Sequence, residues 1–176
     1  MSKIGIDVST LATPNPSGIA KYVDSLLGAF EELDTEDEII LCYRLSRLRR
    51  YRYFRRASKP NFPLRLFQDG LSPLLARNLD LFHGPDDRIV TLGNVPMVAT
   101  VHDMCTFDYP EFASAKFRAK KEEYVSDCAR RASLIIFHSS YSRDQFTSRF
   151  PVDHSRLRVI PLGVNHNLMS ISAQEA

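Results

Sequence analysis

Only three cysteines occur among the 176 residues, Cys42, Cys105 and Cys128, and they lie far apart. No C-x-x-C pair or other metal-ligand spacing joins them. That excludes a disulfide-stapled scaffold and a zinc module, and reduced thiols in a cytoplasmic protein are the expectation. Long apolar runs are missing as well. Nothing approaches the ~20 residues of a membrane span, and the N-terminus has no signal-peptide core. No G-x-S-x-G elbow follows any strand-like segment, so a Ser-His-Asp hydrolase is not expected. The five histidines (His83, His102, His138, His154 and His166) are scattered without ligand spacing, and no bound metal is expected. No segment repeats.

What is present is ordinary in bulk and uneven in detail. With 44% hydrophobic and 25% charged residues, the chain has the composition of one soluble globular domain, long enough to bury a core. The formal net charge of +2 hides an asymmetry. Ile39 to Gln68 contains nine Lys/Arg and no Asp or Glu, which leaves fourteen basic against twenty-one acidic residues elsewhere. In that segment Arg44, Arg47, Arg49, Arg50, Arg52, Arg55, Arg56 and Lys59 alternate with Leu45, Leu48, Tyr51, Tyr53 and Phe54. Three readings fit: a face on anionic lipid, a site for an anionic ligand or a diphosphate, or a solvated helix with snorkelling arginines. Basic-aromatic interleaving also suits single-stranded nucleic acid, but no RNA or DNA module fits, so nucleic acid is not an expected partner.

Strand and helix patterns alternate along the chain. Lys3–Val8 reads as a strand, and Leu11–Gly18 (LATPNPSG) as a loop. Ile19, Tyr22, Val23, Leu26, Leu27, Phe30 and Leu33 then recur at helical spacing, with Ser17 as N-cap. Glu38–Tyr43 is a second strand, and Arg44–Ser58 is expected to be helical until Pro60 and Pro63. Leu66–Arg77 reads as a helix and Leu79–Phe82 as a short strand entering His83-Gly84-Pro85. Val95–Val101 is an apolar strand that stops abruptly at His102-Asp103. Ala113–Ala132 forms a long helix with Phe117, Tyr124, Val125, Cys128 and Ala132 on one face. Leu134–Phe137 is a strand, Ser140–Phe150 a helix capped by Ser139, and Arg156–Ile160 a last strand. This alternation predicts a mostly parallel, doubly wound α/β sheet with helices on both faces. Ligands of such sheets gather outside the carboxyl ends of the strands, where His102 would sit. The polar tail from Asn165 to Ala176 reads as the start of a linker.

Several segments, in order, resemble the N-terminal half of group-one glycosyltransferases (family four, GT-B fold). Ser17-Gly18-Ile19-Ala20-Lys21-Tyr22 is similar to that family's S-G-I-G-R-Y, and Asp80-Leu81-Phe82-His83-Gly84-Pro85 to D-L-F-H-x-P. Val98-Ala99-Thr100-Val101-His102-Asp103 resembles V-V-T-I-H-D, followed by Tyr109-Pro110-Glu111 for Y-P-E. Ser139-x-x-Ser142-x-x-Gln145 is close to S-x-x-S-x-x-D, and Arg158-Val159-Ile160-Pro161-Leu162-Gly163-Val164-Asn165 to R-V-I-P-x-G-V-D. The likeness spans about residues 3–165.

The resemblance implies a single Rossmann-like domain over residues 1–164, the acceptor-binding half of a retaining, nucleotide-sugar-dependent hexosyltransferase that transfers a hexose such as mannose or glucose in surface polysaccharide or glycolipid synthesis. The donor-side domain would be separate. Its signature, two glutamates eight positions apart, has no counterpart here, and neither has the basic pair that precedes it. This chain alone is therefore expected to be inactive, with a nucleotide-sugar needed by the complete enzyme and no cofactor held by this domain. The alternatives are one subunit of a split enzyme and a non-enzymatic docking module.

By the same resemblance His102 contacts the transferred sugar and is the candidate catalytic residue. Gly18 offers its amide at the positive end of a helix to a phosphate or sugar; the other reading is a glycine needed only for the turn. Asp103 is an orienter or loop cap. Asp86 and Asp87 either meet acceptor hydroxyls or are solvated turn carboxylates, the latter being favoured. Ser139 is first a cap and second an acceptor contact, and Glu111 lines the loop after His102. Arg49, Arg50, Arg52, Arg55 and Arg56 form the patch for an anionic membrane or ligand. Family members with lipid-linked acceptors attach to membranes through this domain, which implies a peripheral location on the cytoplasmic face.

Overall fold

Among the described residues seven short, apolar strands are all parallel, and the chain winds outward in both directions from the first of them. The computed structural model describes residues 1–33, 35–56, 59–68, 71 and 78–163. The strands are β1 (Lys3–Asp7), β2 (Glu38–Arg44), β3 (Leu64–Phe67), β4 (Leu81–Gly84), β5 (Met97–Val101), β6 (Leu134–Phe137) and β7 (Leu157–Val159). Their order is β3-β2-β1-β4-β5-β6-β7. The helices are α1 (Gly18–Glu32), α2 (Cys105–Asp108), α3 (Ala115–Arg131) and α4 (Ser140–Thr147). The doubly wound sheet expected from the sequence is the one observed.

Each face of the sheet has its own core, because neighbouring strand residues point to opposite sides. Ile39, Leu41 and Tyr43 of β2 pack with Ile6, Val8 and the Val23 and Leu27 side of α1. Ile40 and Cys42 join Phe82, Ala99, Val101, Ile135 and Phe137, covered by Val125 and Cys128 of α3 and Phe146 of α4. The strands read as continuous apolar runs because both faces are covered. The caps follow the sequence: Ser17 Oγ accepts the Ala20 amide, Ser114 that of Phe117, and Ser139 that of Ser142.

Three expectations need correction. Leu64–Phe67 is the edge strand β3, in parallel register with Leu41–Arg44, so a helix does not start at Leu66; residues 69, 70 and 72–77 lie outside the described residues. The basic segment is a 3-10 helix over Leu45–Tyr53, broken at Arg50 and with no buried residue. Arginines of both parts remain in water, and no apolar stripe exists to hold an α-helix against the core. Phe117 is 58% exposed and so does not share the core face of α3 with Val125, Cys128 and Ala132. The tail from 165 onward also falls outside the described residues.

Candidate functional site

A parallel sheet whose order reverses at β1 and β4 opens a crevice at the carboxyl ends of those strands. Three histidines collect along this edge from positions far apart in sequence. His83 lies in β4, His102 follows the end of β5, and His138 follows the end of β6. Helix α1 begins at the same edge, after the loop that leaves β1. Its first turn carries no acidic residue, so its positive end is uncompensated. Tyr22, one turn into α1, packs edge-on against His102 with ring centroids 5.1 Å apart, and against His138 at 4.9 Å. The His102 and His138 rings are themselves 4.9 Å apart. Helix start and imidazole thus meet at one place.

Hydrogen bonds fix the rings. His102 Nε2 lies 2.8 Å from the Pro85 carbonyl. A carbonyl can only accept, so Nε2 carries the proton and Nδ1 is the acceptor in the neutral ring. His138 Nδ1 lies 3.1 Å from the Ile160 carbonyl by the same logic, which leaves its buried Nε2 without a partner among the described residues. His83 Nε2 pairs with Thr100 Oγ1 at 2.8 Å. Burial, and then the neighbouring His102, lower the His83 pKa to about 4. His138 is lowered too, chiefly by burial. Both are neutral imidazoles at pH 7.

The two carboxylates after Pro85 are not solvated, contrary to the favoured expectation. Asp86 takes a two-pronged contact from Arg88, Nε at 2.9 Å and Nη2 at 2.8 Å. Burial and the nearby Asp7 charge still raise its pKa, with Arg88 opposing them in part. Asp7 in turn is held by Arg44 at 2.9 Å. Asp87 is buried with φ at +63°. Its Oδ1 accepts the His102 amide at 2.9 Å, and its Oδ2 pairs with Lys121 of α3. It therefore sets where the His102 backbone sits.

The remaining expected site residues separate by position. Gly18 is exposed and its φ is not positive, and a Cβ there would meet nothing within 4 Å. The turn does not require glycine, so that alternative falls away. Gly84 is the steric glycine: a Cβ there would lie 1.9 Å from the Arg88 carbonyl oxygen. Asp103 is exposed and accepts the Cys105 amide at 3.0 Å, a loop cap. Glu111 is exposed in the turn Pro110–Phe112. Ser139 caps α4 and donates to Ser142 Oγ, which donates onward to the His102 carbonyl at 3.4 Å. Arg55 is not part of a free patch, since it pairs with Asp24 and Glu31 of α1. Arg49, Arg50, Arg52 and Arg56 are exposed. Among the described residues no three His, Cys, Asp or Glu are grouped as ligands of a metal ion, and no helix is long and apolar enough to cross a membrane.

Sequence reasoning missed Tyr22, His83, His138, Thr100 and Lys121 as members of this edge. The signal for two of them was available: His83 and His138, like His102, stand at or just after the carboxyl end of an apolar strand.

This strand order, with helices on both faces and a polar crevice at the reversal point, defines a Rossmann-like α/β domain consistent with the N-terminal half of a GT-B fold. The sequence profile described as Glycosyltransferase Family 4 matches residues 11–168. The chain belongs to that family, and a glycosyltransferase-type function comes with it. No curated protein matches the chain.

The depressed His83 pKa has a defined consequence for stability. Unfolded, the ring takes a proton near pH 6.5; folded, it resists until about pH 4. Stability is thus full above pH 6.5 and falls between these values as the unfolded state binds the extra proton. The loss is about 3 kcal/mol at most. Asp86, raised in the fold, contributes the opposite slope, so the wild type alone does not isolate His83. Urea unfolding of wild type and His83→Gln at pH 7 and pH 4.5 does: the wild type should lose stability relative to the variant on acidification. An unchanged difference contradicts a buried neutral imidazole.

Proposed function

We propose that this domain is the acceptor side of a retaining, nucleotide-sugar-dependent hexosyltransferase that transfers a hexose such as mannose or glucose and builds a surface polysaccharide or glycolipid. The single observation that supports it is the meeting of the uncompensated α1 start and the His102 imidazole at the carboxyl edge of the sheet. A departing nucleoside diphosphate needs its charge stabilised, and a helix N-terminus with exposed amides suits that need. The open space at Gly18 lets a phosphate or sugar oxygen come close. His102 Nδ1, with Nε2–H engaged by Pro85, accepts a hydrogen bond from a hydroxyl of the transferred hexose. The anomeric C–O bond to the diphosphate breaks, the acceptor oxygen bonds to that carbon, and the acceptor proton leaves on the departing phosphate. A second, donor-side domain across the cleft holds most of the nucleotide.

Transfer is measured with radiolabelled UDP-glucose and GDP-mannose, the donor-side domain of a family member being supplied in trans. Label should pass to a glycan or lipid acceptor and fall by at least about 100-fold in His102→Ala, a loss of nearly 3 kcal/mol in transition-state stabilisation. Silence in every combination, with the fold intact, favours the non-enzymatic docking reading.

The basic segment is the membrane-facing part of this reading. Leu48 and Tyr51 are 48% and 70% exposed beside Arg49 and Arg52, the mixture that suits an anionic lipid surface. The guanidinium of Arg52 lies over the Tyr53 ring at 4.7 Å. Arg55 is left out of the test set, because a Glu there would face Asp24 and Glu31. Arg49→Glu/Arg52→Glu/Arg56→Glu should abolish co-sedimentation with vesicles containing phosphatidylglycerol, and salt should weaken the wild type. Equal binding of wild type to purely phosphatidylcholine vesicles contradicts the lipid surface.

A further inference from the structure

Beside His102 the crevice widens into a cavity of about 610 Å³, walled by the loop after β4, by α2 with the following turn, and by α3. One end is shared with the site already described, since Ile19 of the first α1 turn and Asp103 both line it. Its wall is aromatic and uncovered. Tyr109, Phe112 and Phe117 are 51%, 81% and 58% exposed, and Tyr109 and Phe112 stand as a tilted pair at 6.3 Å. Exposed aromatic groups gathered in a concavity mark a binding site more often than chance surface.

The floor is polar yet balanced in charge. Asp86 is matched by Arg88 and Asp87 by Lys121, and Lys120 lies over the Tyr124 ring at 5.5 Å. Asp103 gives one oxygen to the Cys105 amide, and its other oxygen has no protein partner among the described residues. A phosphate would find Arg88 and Lys121 already held by carboxylates, with the exposed Lys120 as the one lining cation outside an ion pair among the described residues. An alkyl chain would have to desolvate the ion pairs at the floor. A pyranose satisfies both surfaces: its C–H face is apolar and lies flat on aromatic rings, while its equatorial hydroxyls meet carboxylates and amides.

We infer that this cavity is a subsite for an uncharged pyranose of the acceptor, seated on Phe112, Phe117 and Tyr109 and directed by Asp103 toward His102. The inference rests on the transferase reading for its purpose and on the cavity alone for its chemistry. It also separates two surfaces of the domain: neutral sugar in the cavity, anionic lipid at the Leu45–Tyr53 segment.

The test uses the 176-residue chain and saturation-transfer NMR, with the methyl pyranosides of glucose, galactose, mannose and N-acetylglucosamine as probes. At least one should receive saturation at its ring C–H protons. Phe112→Ala/Phe117→Ala should bind it about tenfold more weakly with an unchanged Tm, since both rings stand in solvent, and Phe117→Tyr should retain binding. Absence of saturation for all four glycosides overturns the inference, as does equal binding by the double variant. Octyl phosphate that binds and is not displaced by any glycoside overturns it in favour of a lipid site. His102→Ala should keep glycoside binding. Binding without any transfer counts against the transferase reading alone. Transfer with glycoside binding insensitive to the aromatic wall counts against this subsite alone.

Discussion

Asp87 ties together three parts of the chain: the loop after β4, the end of β5 and α3. Its amide donates to the Thr100 carbonyl of β5, and its carbonyl accepts from the Cys128 thiol of α3. Its carboxylate divides between the His102 amide and the Lys121 ammonium. Both side chains of the Asp87–Lys121 pair are almost wholly buried, so removing one partner leaves the other charged group unpaired in the interior, a change that costs about 3–5 kcal/mol in comparable cases. The residue also holds a left-handed backbone conformation, φ +63°, which a non-glycine residue keeps only where its surroundings impose it. With Asp87 in place the loop after β4 turns back over the sheet edge, and Pro85 reaches the His102 ring. The position of the imidazole is a consequence of that clamp.

From this follows the electrostatic character of the edge. His83 and His138 are neutral because burial makes their protonation costly, and the carboxylates of Asp86 and Asp87 are ion-paired rather than free. The start of α1 carries an uncompensated positive field into the crevice. Excess basic charge is set apart on the Leu45–Tyr53 segment, which leaves β2 on the same side of the sheet; there Arg50 reaches the Ala12 carbonyl in the loop that feeds α1. A domain arranged this way can meet an anionic surface next to the crevice without filling the crevice with fixed cations.

Much of this was legible in the sequence. The strand–helix alternation, the serine caps and the apolar run ending at His102 depend on local pattern, and local pattern survives folding. What was not legible depends on contacts between distant segments. Lys121 is an ordinary surface-helix lysine until α3 brings it to Asp87. Tyr22 falls on the apolar stripe of α1, and no periodicity distinguishes a core position from one at the mouth of a site. β3 was mistaken for the start of a helix because an edge strand pairs on one side only, and Leu64 and Leu66 stay partly in water. The basic segment misled for a related reason: arginine has good helix propensity, but with no apolar face to bury, the chain settles into a broken 3-10 turn. The pairing of Asp86 with Arg88 spans only two residues and could have been anticipated.

The claim at the centre is that the α1 start and the His102 loop form one ligand-binding edge. Amide chemical-shift mapping during titration with a nucleoside diphosphate hexose tests it directly. The Gly18, Ile19, His102 and Asp103 amides should shift together along one binding curve. Shifts confined to the opposite edge of the sheet, or His102 moving while Gly18 stays fixed at saturation, would contradict it.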